Sequence, residues 1–170
     1  MELSSQKLGL CDAYLSANKM KLVLAESMTA GYVASVISLL RKSGDYFLGS
    51  IVCYHDNMKI ESLKVDPNLL DRYGGVSAQV TAELIKGLQH IYNPEVAIAV
   101  TGFAYESAVT SLTNPVGTVY INIQSPDFDF AKKCIFKGSP EEIIKEATIE
   151  IIENLYESIL LSQACRKSKL

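Results

Sequence analysis

Ser27 lies in a segment, residues 26–31 with the sequence ESMTAG, whose residue types could attack a carbonyl group. The segment follows an apolar run over residues 21–25 and precedes a helical pattern that begins at about Thr29. Functional sites in mixed sheets form where strand ends run into helix N-termini. There the Ser27 hydroxyl could attack a carbonyl while free backbone amides stabilise the oxyanion. On this segment alone, the simpler interpretation is that Ser27 or Thr29 only caps the helix.

A nucleophilic serine needs a general base, and the segment after the next strand offers Lys59 and His55. A lysine can accept a proton when burial and its neighbours favour the neutral amine. Tyr54 lies in the same segment. Taken singly, Lys59 is more readily a solvated cation, and Tyr54 a core aromatic residue with a solvated hydroxyl. His90 ends an amphipathic pattern and is expected on the surface.

The elements that must position these residues follow from the apolar pattern of the chain. Strands are predicted over residues 21–25, 46–54, 95–100, 116–123 and 130–136. Helices are predicted over residues 2–18 and 29–40, from an N-cap at Asp66, from Ser77 to about residue 91, and from a capping box at residues 139–142. The resulting order, α-β-α-β-α-α-β-β-β-α, predicts an α/β fold, a single-domain α/β/α sandwich with a mixed central sheet.

Composition excludes several classes of protein. The 170 residues are 48% hydrophobic and 21% charged with a net charge of −3, which is typical of a compact globular domain and not of a disordered chain. We expect one domain over residues 1–170, ordered from about 2 to 164. No basic surface is indicated for nucleic acid, and neither a membrane span nor a signal peptide is visible, so a cytoplasmic location is expected. Four scattered cysteines and two histidines predict no metal site.

Five segments resemble, in chain order, motifs of the CinA C-terminal domain family. Residues 26–31 are similar to E-S-x-T-G-G, and residues 47–59 to F-x-G-G-x-V-x-Y-x-N-x-x-K. Residues 73–77 are similar to H-G-A-V-S, residues 100–104 to the start of V-T-G-I-A-G-P, and residues 114–120 to K-P-V-G-T-V-Y. The resemblance extends over about residues 8–160. Five ordered matches are a specific signal.

The resemblance implies an amidohydrolase of pyridine-nucleotide recycling, because active members hydrolyse nicotinamide mononucleotide to nicotinate mononucleotide and ammonia. It implies Ser27 as the nucleophile, Lys59 as its base and Tyr54 as a hydrogen-bonding helper. No cofactor or metal is implied, and the expected partners are a small pyridine nucleotide or nucleoside and a second copy of the chain in a two-fold dimer. The motif positions expected to bind substrate are Glu26, Thr29, Ala30, Gly31, Asp56, Thr101 and Gly102.

Departures from the family pattern keep the substrate open. Ala30 and Ser50 stand at motif glycines, Asp56 at a motif asparagine, and Asn114 at a motif lysine. The family's glycine-rich G-P-x-G loop is replaced over residues 105–111, where Glu106 would repel a phosphate. In the last helix region, the family's cations are absent.

Three hypotheses therefore remain. The first is an amidase for nicotinamide mononucleotide, which we favour because Ser27, Tyr54 and Lys59 are all present. The second is an amidase for a less anionic amide such as nicotinamide riboside, and the third is a binding relative without activity.

Overall fold

The computed structural model describes residues 4–167, with side-chain positions through residue 164. The helices are α1 Ser5–Ala17, α2 Tyr32–Ser38, α3 Ser43–Tyr46, α4 Asp56–Leu63, α5 Pro67–Tyr73, α6 Ala78–Tyr92 and α7 Pro140–Lys167. The strands are β1 Leu22–Glu26, β2 Phe47–Val52, β3 Val96–Gly102, β4 Thr118–Gln124 and β5 Asp129–Ile135. Residues 2 and 3 of the predicted first helix lie outside the described residues.

The five strands form one mixed sheet in the order β2-β1-β3-β4-β5. β1 runs parallel to both β2 and β3, whereas β3, β4 and β5 are successively antiparallel. β1 and β3 are buried along their whole length, as their continuous apolar sequences require. Because β1, β2 and β3 are parallel, their carboxyl ends meet at one edge of the sheet.

Alternate residues of the central strands face two separate hydrophobic layers. Leu22 and Leu24 pack with α1, α2 and α7, while Val23 and Ala25 pack with α4, α5 and α6. Helices therefore cover both faces of the sheet, which confirms the predicted α/β/α sandwich with a mixed sheet.

The observed element order corrects the predicted one in two places, because α3 and α4 were not predicted. α4 was not predicted because only one of its two buried side chains, Leu63, is apolar, whereas the other, Lys59, is charged. His55 caps this helix by accepting a hydrogen bond from the Asn57 amide at Nδ1 (3.2 Å). α2 begins at Tyr32 and not at Thr29.

The capping box of α7 is confirmed. The Ser139 amide donates to Glu142 Oε2 (2.7 Å), and the Glu142 amide donates to Ser139 Oγ (3.3 Å). The Glu142 carboxylate also accepts from the Ser139 hydroxyl, and these hydrogen bonds lower its pKa.

Candidate active site

A cavity of about 480 Å³ opens at the sheet edge where β1, β2 and β3 end. Ser27, the first residue after β1, lines one side of it. The connection from β2 into α4 contributes Tyr54, Asp56 and Lys59. The turn between α5 and α6 and the loop after β3 complete the walls. The cavity therefore lies where sites form in folds of this type.

Ser27 is 5% exposed, and its position is fixed by the backbone. Its amide donates to the Val100 carbonyl oxygen (3.1 Å) on the neighbouring strand, and its own carbonyl oxygen accepts from the Ala30 amide (3.1 Å). The side-chain hydroxyl has no hydrogen-bond partner among the described residues. A hydroxyl without a protein partner on a cavity wall is free to contact a ligand.

Lys59 reaches the same cavity from α4 and is only 2% exposed, so it is not a solvated cation. Its ammonium donates to Asp56 Oδ1 at 2.8 Å and to the Tyr54 carbonyl oxygen at 3.5 Å. Lys59 and Ser27 form no direct hydrogen bond with each other. That Lys59, as the base, contacts Ser27 through one bridging water stays a prediction.

Tyr54 lies at the mouth of the cavity and is 48% exposed, so it is not a core aromatic residue. Its hydroxyl lies 2.5 Å from the hydroxyl of Tyr105, which belongs to the altered loop after β3. This hydrogen bond, with a smaller effect of burial, raises the pKa of Tyr54.

Glu26 forms the N-terminal cap of α2 from inside the fold and does not line the cavity. Its carboxylate, 1% exposed, accepts from the amides of Gly31 (3.0 Å), Val33 (3.1 Å) and Ala34 (2.9 Å). The Ser50 hydroxyl donates to it as well (3.0 Å). These three amides are therefore not free for an oxyanion, because Glu26 already uses them. Neither Ser27 nor Thr29 caps the helix, since the N-cap residue is Gly31.

The remaining predicted binding positions separate into two groups. Gly102 lines the cavity, and a side chain there would collide with the Thr118 carbonyl oxygen. Thr101 is fully buried, and its hydroxyl lies 2.8 Å from that of Thr81. Thr29, Ala30 and Gly31 line a different, open depression against the start of α7. The structure thus brings together Ser27, Tyr54, Asp56, Lys59 and Gly102 at the cavity, and places Glu26, Thr29, Ala30, Gly31 and Thr101 away from its walls.

The backbone conformation of Ala30 explains why the family motif has a glycine at this position. Its φ is +49°, in the left-handed region that glycine adopts without strain. The following Gly31 has a φ of +96°. These two residues with positive φ reverse the chain, so that the amides at the start of α2 donate to the Glu26 carboxylate.

Several residues that line the cavity were not predicted as site residues, among them Asp71 and Tyr73 at the end of α5. The Asp71 carboxylate has no hydrogen-bond or ion-pair partner among the described residues. The available signal was the Gly74-Gly75 turn, which ends α5 within a family motif. It did not reveal that the last turn of α5 and Ser27 line the same cavity.

Within residues 4–167, no group of three or more His, Cys, Asp or Glu side chains is placed to hold a metal ion. In the same part of the chain, no helix is long and apolar enough to cross a membrane.

Comparison with known proteins agrees with the fold. A crystal structure of a CinA superfamily protein from Klebsiella pneumoniae 700603 superposes with a TM-score of 0.84, at 22% identity over 91% of this chain and 96% of that one. One from Escherichia coli gives a TM-score of 0.82, at 23% identity over 94% of both chains.

Similarity in sequence identifies the family. A CinA-like protein of Desulfotalea psychrophila is 38% identical over 124 residues, which are 73% of this chain and 30% of that protein. Another from Geotalea uraniireducens is 39% identical over 122 residues, 72% of this chain and 29% of that protein. The chain thus spans about a third of the length of these curated relatives. The family model of the CinA C-terminal domain matches residues 6–159, and the chain therefore belongs to the CinA C-terminal domain family.

Proposed function

We propose that the protein is an amidohydrolase in which Ser27 attacks the carboxamide of a nicotinamide nucleotide or nucleoside. The observation that carries the proposal is that Ser27, whose hydroxyl has no hydrogen-bond partner among the described residues, and the buried Lys59 line the walls of one cavity. Nicotinamide mononucleotide is the candidate substrate that the family resemblance favours, and nicotinamide riboside is the one that the altered loop after β3 favours.

The reaction proceeds through an acyl-enzyme. Lys59, once its ammonium has given a proton to solvent, accepts the Ser27 hydroxyl proton through a bridging water while Oγ bonds to the carboxamide carbon. The C–N bond of the tetrahedral intermediate then breaks, and ammonia leaves with the proton returned by Lys59. A water molecule then adds to the ester carbon. The C–O bond to Ser27 Oγ breaks, which releases the carboxylate product, and Oγ regains a proton from that water.

The oxyanion of this intermediate needs a donor other than the first turn of α2. The Met28 amide follows the nucleophile directly and has no hydrogen-bond partner among the described residues. We assign it this role, because the amide after the nucleophile is an oxyanion donor in other serine hydrolases.

Asp56 and Tyr54 position the base in this proposal. Asp56 and the Tyr54 carbonyl oxygen hold the Lys59 ammonium on the cavity wall. The Tyr54 hydroxyl is bonded to Tyr105, so the tyrosine shapes the mouth of the cavity and is not a partner of Ser27.

An ammonia-release assay with nicotinamide mononucleotide and nicotinamide riboside in parallel tests the proposal. Turnover of either substrate should be almost abolished in Ser27→Ala and in Lys59→Met, while Ser38→Ala, an exposed hydroxyl on α2, should keep it. Turnover retained by Ser27→Ala would mean that water attacks the amide directly. Silence of the wild-type protein on both substrates would favour a binding relative without activity.

A further inference from the structure

The charged residues that line the cavity are Asp56, Lys59 and Asp71. Asp56 and Lys59 form an ion pair at 2.8 Å and offset each other. Asp71 has no such partner among the described residues, and it is exposed. The lining therefore carries one net negative charge, and its single cation is already paired.

Aromatic rings supply much of the remaining wall. Tyr54 and Tyr105 stand at the mouth with their hydroxyls in contact, and Phe103 and Tyr73 lie further along the lining. Aromatic faces attract cations and stack on flat rings. Aromatic rings next to an unpaired carboxylate favour a flat, positively charged ligand.

Two cations outside the lining contact residues that belong to it. The Arg72 guanidinium lies 5.2 Å from the centre of the Tyr73 ring. The Lys133 ammonium donates to the Thr113 carbonyl oxygen (2.7 Å) and to Asn114 Oδ1 (2.9 Å). Neither cation lines the cavity, although Tyr73 and Asn114 do.

The altered loop, residues 105–111, contains neither a glycine nor a cation that could bind a phosphate. Tyr105, Ser107 and Val109 place side chains on the lining at the positions where the family has its glycine-rich loop. Glycines allow backbone amides to close on an anion, and these side chains obstruct that approach. Glu106 itself is exposed and does not line the cavity, so the expectation that its carboxylate faces the ligand is wrong.

We propose that this cavity selects an aromatic amide that carries a fixed positive charge and no phosphate, and that Asp71 imposes the preference. The inference rests on the proposed function, since the Ser27 hydroxyl in the same cavity is what the amide would contact. Asp71 is a specificity residue and takes no part in bond cleavage.

Binding to the Ser27→Ala variant, measured by calorimetry, tests the preference without turnover. The probes are 1-methylnicotinamide, a cation, and nicotinamide, its neutral counterpart. The cation should bind more tightly, and the difference should shrink as salt rises from about 0.05 M to about 0.5 M. Adding Asp71→Asn should weaken binding of the cation by about two- to fivefold and leave nicotinamide unchanged. Glu61→Gln removes the same charge from the exposed surface of α4 and should change neither.

A second pair of probes tests the exclusion of phosphate. Nicotinamide riboside should bind more tightly than nicotinamide mononucleotide. The reverse order, lost in Arg72→Gln, would place a phosphate at Arg72 and overturn the inference. Equal binding of the cationic and neutral probes, or binding of neither, would overturn it as well.

Hydrolysis by the wild-type protein is recorded separately. Turnover without a charge preference refutes this inference alone. A charge preference without turnover refutes the amidohydrolase alone.

Discussion

The hydroxyl oxygens of Tyr54 and Tyr105 lie 2.5 Å apart, and they join the end of β2 to the loop that departs most from the family pattern. Tyr105 stands where the family motif has a glycine, so this contact depends on a side chain that the motif lacks. Both tyrosines are about half exposed and line the cavity. The bond therefore narrows the entrance to Ser27.

The first prediction is that Tyr105→Phe lowers the pKa of Tyr54 toward its ordinary value of about 10. The hydrogen bond to Tyr105 is the main cause of the raised pKa, and the variant removes it while keeping the ring. NMR titration with carbon-13-labelled tyrosine measures this change. Tyr92→Phe, which removes another exposed hydroxyl, should leave Tyr54 unchanged. An unaltered Tyr54 pKa in Tyr105→Phe would show that burial alone raises it.

Much of the fold could be read from the sequence because its strongest signals are local. The apolar runs of β1 and β3 and the capping box of α7 each identify their element without knowledge of the rest. The helix α4 was not predicted because Lys59, a charged residue, is one of its two buried side chains. Burial of a lysine depends on Asp56 and on the packing around it, which apolar periodicity does not record.

The site was only partly predictable, for the same reason. Ser27 and Lys59 lie in motifs, and their common cavity follows from the parallel order of β1 and β2. Asp71 reaches the cavity because Leu70 is buried in the layer that α5 shares with α6, which is a tertiary contact. The capping role of Glu26 depends on the reversal at Ala30 and Gly31, which the sequence does not state.

The second prediction is that Glu26→Gln lowers the free energy of unfolding by about 2–4 kcal/mol. The substitution removes the negative charge that accepts all four hydrogen bonds. With the new amide nitrogen at the Oε1 position, the Ala34 amide loses its acceptor, whereas the Ser50 hydroxyl can accept from that nitrogen. Ser50→Ala removes one donor and should cost about 0.5–1.5 kcal/mol. Urea unfolding measures both variants. An equal cost for the two would contradict the capping role of Glu26.

The third prediction concerns alkaline pH. Burial, with a smaller contribution from Glu153, raises the pKa of the Cys11 thiol from 9.0 to about 12. The folded state therefore keeps this proton where the unfolded state loses it. Stability from this thiol is complete below about pH 9 and is lost as pH rises toward about 12.

The corresponding measurement is urea unfolding of wild type and Cys11→Ala at several pH values. Above about pH 9, the wild-type free energy should fall more steeply than that of the variant, by up to about 1.4 kcal/mol per pH unit. Cys134→Ala, which removes a partly buried thiol, is the control variant for the loss of a fully buried one in Cys11→Ala. Parallel slopes for wild type and Cys11→Ala would mean that Cys11 ionises in the folded protein.

The fourth prediction concerns how Asp56 is held against Lys59. A Cβ added at Gly75 would overlap Asp56 Oδ1, the oxygen that binds the Lys59 ammonium at 2.8 Å. Gly75→Ala should therefore displace the carboxylate and cost about 1–3 kcal/mol of unfolding free energy, because it overpacks the site and breaks the ion pair of a buried cation. Gly9→Ala, in open space on α1, should be neutral or slightly stabilising.

A double-mutant cycle separates this clash from a general effect of the added methyl group. In an Asp56→Ala background the methyl meets no carboxylate, so Gly75→Ala should cost at least about 1 kcal/mol less than in the wild type. The same displacement should lower amide turnover in the single variant, because Lys59 is then held only by the Tyr54 carbonyl oxygen. Equal costs in both backgrounds would show that the methyl collides with something other than Asp56. The absence of a side chain at Gly75 would then not be the reason that the Asp56 carboxylate can contact Lys59.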